Sequence, residues 1–167
     1  AHGIVPSSSP QGLVSAGTMP GESVPAGTFG HLVVPAQTVP NNQYISAYYL
    51  TFDHWYHLDS PASGGGDGTW VEYRLQSDSN WGNWSYIEPQ GGYPSTLSTD
   101  APVPSGASSP VEVFASDSHS GWVTSNFSLS SLSGIDQADS IQFRFVIWTH
   151  PDSTNERPGW FIDQIET

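Results

Sequence analysis

The stretch 140-SIQFRFVIWT-149 decides the fold of this chain. Side chains on an extended strand point alternately to opposite faces, so Ile141, Phe143, Phe145 and Ile147 share one face. Gln142 and Arg144 fall on the other, the signature of a half-buried strand. The same period runs through 69-TWVEYRLQ-76, 111-VEVFA-115 and 160-WFIDQIE-166, with Gly, Ser, Pro, Asn and Asp crowding the stretches between. No dozen residues repeat apolar positions at helical spacing. The expectation is an all-β chain with almost no helix, folded as two packed antiparallel sheets. Leu50, Phe52, Val71, Tyr73 and Leu75 should join the inward set of 141–147.

Upstream, the texture changes. Residues 1–43 form a Pro/Ser/Gly-rich extended N-terminal arm, punctuated by Pro6, Pro10, Pro20, Pro25, Pro35 and Pro40. Proline has no ladder donor, so this arm can supply edge strands but no central ones. Its best strand is 29-FGHLVVPAQTV-39, with no lysine to blunt it. The arm either wraps its own domain or adds a strand to a neighbouring copy. Residues 44–167 are read as the β-sandwich itself, starting with 44-YISAYYLTFDHWYHL-58.

At 167 residues the chain is long enough for one domain that buries about 68–70% of its unfolded surface. Cysteine is absent, which removes disulfides and thiolate chemistry. Three arginines face 16 carboxylates, for a formal charge of -13. Such a surface repels phosphate backbones and anionic lipid, so neither nucleic acid nor membrane insertion is expected. Charged residues are nevertheless only 11% of the chain. The polar surface is Ser, Thr, Asn, Gln and Gly, a texture that points to an extracellular location, secreted or on a cell surface. Asn83-Trp84-Ser85 and Asn126-Phe127-Ser128 are N-glycosylation acceptor patterns.

Five short motifs in order carry a resemblance. They are 48-YYLTFDHWYHLD-59, 66-GDGTWVEYRLQSDSNWGNWSYIEP-89, 120-SGWVTSNFSLSSLSG-134, 141-IQFRFVIW-148 and 159-GWFIDQIE-166. Together they resemble the jelly-roll modules of MAM-type domains and those that follow the catalytic domain of immune inhibitor A-type secreted peptidases, with reelin-type repeats sharing the layout. The resemblance implies a jelly-roll sandwich and a non-catalytic accessory role in adhesion or recognition. It also implies a structural calcium, with Asp163 of the closing motif as a ligand and Asp53 and Asp59 as co-ligands. A carboxylate flanked on its own face by Phe161 and Ile165 calls for a partner, either a cation or Arg144.

His54 and His57 fall on opposite strand faces, which argues against a two-histidine zinc site. No nucleophile elbow or H-E-x-x-H helix is present, and Glu72, Glu88 and Glu112 alternate as solvent-facing strand positions. No enzyme is expected. Exposed aromatics beside polar groups grip sugar rings, which makes Trp81, Trp84 and Tyr93 the candidate ligand platform. The expected function is therefore adhesion or recognition, with a glycan or a surface protein as partner. The alternative is a self-assembling structural subunit of an extracellular filament or surface assembly, its partners identical copies met through the arm.

Overall fold

The computed structural model describes residues 16–18, 22–40, 47–60, 66–116, 121–153 and 157–167. The described residues form twelve strands and one short 3-10 turn, Ile135–Gln137. The strands are β1 (Ala16–Gly17), β2 (Phe29–Val33), β3 (Gln37–Thr38), β4 (Tyr49–His57), β5 (Gly68–Ser77) and β6 (Asn80–Trp81). They continue as β7 (Ser85–Ile87), β8 (Ser95–Thr96), β9 (Glu112–Val113), β10 (Val123–Ser128), β11 (Ser140–Trp148) and β12 (Gly159–Glu166).

Two antiparallel sheets make the sandwich expected from the alternation. One runs β1-β12-β4-β10 and the other β2-β11-β5-β6, with β3 also on β11 and β7 also on β5. A short β8–β9 ribbon lies apart, tied to β5 through the Thr69–Phe114 bridge. Ile141, Phe143, Phe145 and Ile147 are all buried, with Val71 beside them on β5 and Leu50 and Phe52 on the opposite sheet, as their shared period requires. Tyr73 and Leu75, toward the far end of β5, are only half-buried. Aromatic rings knit the sheets together: Phe52 meets Phe145 edge-on at 5.0 Å, and Trp160 meets Phe145 at 5.5 Å.

The stretch 1–43 contributes three of these strands. β1 pairs with β12, while β2 and β3 pair with successive parts of β11, and Val24 and Val39 are buried in the core. Pro25, Pro35 and Pro40 all fall between strands, where a missing donor costs no ladder bond. The chain is clamped just after β1. Thr18 donates its amide to the Trp160 carbonyl and accepts the Trp160 amide on its hydroxyl, both at 3.0 Å. The clamp requires Gly159, whose φ is +95° and where a Cβ would lie 2.0 Å from the Thr18 hydroxyl.

Candidate functional site

Both sheets end on the same side, at β1 and β2, and a cavity of about 690 Å³ opens between these edges. Its floor is the core itself: Phe145 and Ile147 from β11, Trp160 and Ile162 from β12. Gly17, Thr18, Val24, Pro25, Gly30 and Leu32 stand around it, and none of the described residues that line it is Asp, Glu, Lys or Arg. Three of the six exposed large hydrophobic side chains among the described residues are on five-residue β2: Phe29, Leu32 and Val33. An apolar edge strand beside an opening into the core is a surface that proteins normally blunt.

The opposite side of the sandwich is sealed by its own chain. Tyr93, expected on an exposed platform, is buried there with its ring against Phe114 at 4.7 Å and Phe127 at 6.3 Å. Its hydroxyl accepts from the Val71 amide at 3.0 Å and donates to the Ile87 carbonyl at 2.9 Å. Burial pushes its ionisation well above the ordinary tyrosine value. Its ring faces are thus occupied within the fold.

Trp81 and Trp84 are half-exposed, and guanidinium groups already lie over them. Arg74 sits 4.6 Å from both ring centres and Arg144 lies 4.7 Å from that of Trp84. Arg144 reaches on to Glu72 at 2.5 Å, and Glu72 accepts the Trp70 indole N–H at 2.7 Å. Two of the chain's three cations are therefore committed to one stacked array across β5 and β11. This corrects two expectations. Glu72 is not solvent-facing but 2% exposed, and Arg144 belongs to its cross-strand neighbour Glu72 rather than to Asp163 on the other sheet. Removing one partner of such a pair leaves a buried charge uncompensated.

Asp53 and Asp163 do come together, as direct cross-strand partners on the outer face of the four-stranded sheet. Asp53 accepts from Thr124 at 2.5 Å, and Asp163 accepts from the Gln164 amide at 2.8 Å. Gln164 has a φ of +52° within a bulge that shifts the β12 register. Asp59 is elsewhere. Six residues along an extended chain put it roughly 20 Å from Asp53, where it accepts from Ser153 at 3.1 Å and lies 3.9 Å from Arg157. Its neighbour Asp67 accepts the Asp59 and His150 amides, each at 3.1 Å, and burial raises its carboxyl above the usual range. The three expected calcium ligands do not converge, and calcium requires six to eight oxygens at once. Among the described residues, no group of three or more His, Cys, Asp or Glu is placed to hold a metal.

His54 and His57 do take opposite faces. His54 is fully buried between the sheets. It accepts the Trp160 indole N–H on Nδ1 at 3.0 Å, so Nε2 carries the proton and donates to Ser125 at 2.9 Å. Burial lowers its pKa from an ordinary 6.5 to about 3, which keeps it neutral. Of the glycosylation acceptors, Asn83 is exposed beyond β6, and Asn126 is exposed on β10 while accepting from Thr51 at 2.8 Å.

Comparison with known proteins returns nothing: no family model matches the chain, and no curated protein or solved structure is significantly similar to it. No helix among the described residues is long and apolar enough to cross a membrane.

Proposed function

We propose that this chain is a non-catalytic structural subunit that assembles with copies of itself, in an extracellular filament or surface assembly. The observation that carries this is the uncharged opening between β1 and β2, floored by Phe145, Ile147, Trp160 and Ile162. The floor is already buried, and the apolar surface left in water beside it is that of Phe29, Leu32 and Val33 on β2. Covering apolar surface of that kind releases it from water and drives association. Copies bearing -13 charge repel one another, so an uncharged contact is the route by which they can approach. Screening relieves the repulsion, and assembly should strengthen with salt. Light scattering on the purified chain across concentration and ionic strength tests the reading. Particles that grow with both support it, and a monomer under every condition removes it.

A second reading is favoured by the outer face of the four-stranded sheet. There Trp55 and Phe161 pair across β4 and β12 with rings 5.7 Å apart, beside the Asp163–Asp53–Thr124 row. Phe161 is buried and Trp55 half-buried, so the Trp55 ring is the one available. An accessible aromatic face next to hydrogen-bond acceptors suits a sugar, whose apolar ring face stacks while its hydroxyls donate. Recognition or adhesion through a glycan, the role the jelly-roll resemblance implies, would use this face in place of Trp81, Trp84 and Tyr93. Calorimetry against a glycan panel, repeated with Trp55→Ala, checks it. Binding that survives the substitution places the ligand elsewhere.

A further inference from the structure

We propose that the occupant of the β1–β2 opening is residues 1–15 of a second copy, laid as an added strand along the free edge of β2. This rests on the assembly reading above and names the contact. Among the described residues β2 is the last strand of its sheet, paired only to β11 through Phe29–Trp148 to Val33–Arg144. Its unpaired edge and the apolar floor beside it offer a strand both hydrogen bonds and a place for alternate side chains.

Charge selects the segment. Residues 1–21 carry no Asp, Glu, Lys or Arg, and the first acid is Glu22. They lack charged side chains of these four kinds in a strongly acidic chain, and so does the described lining of the opening they would fill. Their apolar pairs, Ile4-Val5 and Leu13-Val14, flank Pro6 and Pro10. Proline is tolerated only where a strand keeps one edge free of ladder bonds, which an added outermost strand does.

Position selects the neighbour. The Thr18 clamp fixes the position of β1, at the lip of the opening. Ala16 pairs with Ile162 and Gly17 with Phe161, so β1 points along β12 toward Asp163 and not back toward β2. Fifteen extended residues span about 50 Å, enough to leave one subunit and lie along a five-residue edge of the next.

The chain has no cysteine, so engineered thiols report this contact cleanly. Full-length Ile4→Cys and Leu32→Cys chains are mixed and oxidised, with Gln90→Cys on the opposite edge replacing Leu32→Cys as control. The proposal expects a disulfide between the Ile4→Cys and Leu32→Cys chains, and little with the control. It also expects full-length Ile4→Asp/Val5→Asp to associate at least about ten-fold more weakly, a loss of about 1.4 kcal/mol or more, with unchanged circular dichroism. Equal cross-linking to both edges overturns the proposal, as does a doubly substituted Ile4→Cys/Leu32→Cys chain that closes only on itself. Undiminished association of Ile4→Asp/Val5→Asp overturns the segment while leaving assembly standing. A wild-type chain that stays monomeric at every salt concentration overturns assembly itself.

Discussion

On the sealed side of the sandwich, the segment after β7 crosses from one sheet to the other. Gln90 donates to the Asn126 carbonyl on β10 at 2.7 Å, Tyr86 of β7 donates to the Ser105 carbonyl at 2.8 Å, and the Tyr93 ring plugs the gap between. On the β1–β2 side the described residues supply no equivalent of Tyr93, and Phe145 and Trp160 line an open cavity. The sealed side shows what this architecture needs at each flank: backbone partners for the outer strands and an apolar side chain inserted between the sheets. The open side has the same need, and a neighbour can meet it. A plug from within makes a wall, and a plug from outside makes a joint.

The largest effect should come from the core that both sides share. His54 has a folded pKa of about 3 against an unfolded 6.5, so below pH 6.5 the unfolded chain takes up the proton first. The stability tied to neutral His54 is intact above pH 6.5 and drains away as the pH falls toward 3. At 1.36 kcal/mol per unit the loss reaches roughly 4–5 kcal/mol. Urea titrations across this window should show the slope, and His54→Gln should flatten it. An equally steep profile in the variant would contradict the burial account.

Opening the sealed side comes next. Tyr93→Ala removes the plug and should cost about 3–5 kcal/mol, as loss of a buried aromatic side chain does. Tyr93→Phe keeps the ring but strands the Val71 amide and the Ile87 carbonyl, at about 1–3 kcal/mol. If the two variants unfold at the same denaturant concentration, the ring is not the seal. The smallest effect belongs to the outer face. Asp163→Asn relieves like charges directly opposite each other and should raise stability by a few tenths of a kcal/mol. Thermal melts should show that gain with chelator and with calcium alike. A calcium-dependent shift lost on substitution would restore a metal site at Asp163.

Alternation made the sandwich legible, because a period of two assigns faces without any knowledge of neighbours. It placed Ile141, Phe143, Phe145 and Ile147 inward and His54 opposite His57. It could not tell an outward face from an exposed one. Glu72 lies on the outer face as expected, yet it is buried there, with Trp70 and Arg144 as its partners. Asp163 was expected to take a cation or Arg144 as its partner, but Arg144 belongs to Glu72 and Asp163 accepts the Gln164 amide, presented by a bulge that leaves no trace in apolar patterning. Tyr93 sits in a Pro/Gly-rich turn, where no period exists to assign a side, and turn composition suggested exposure instead. The open side was half legible. Proline spacing and the missing lysine marked 29–39 as an unblunted edge, but the cavity behind it depends on how β1 and β2 flank the core.

Sedimentation equilibrium on three full-length chains tests most directly whether the open side is the joint. They are the wild type, Leu32→Lys on the open edge and Gln90→Lys on the sealed edge. Both substitutions are at exposed positions, where stability usually changes by no more than about 0.5 kcal/mol. A lysine on an edge strand blocks further pairing. The wild type and Gln90→Lys should associate alike as concentration rises, while Leu32→Lys stays monomeric. Association of Leu32→Lys equal to that of the wild type would contradict the account.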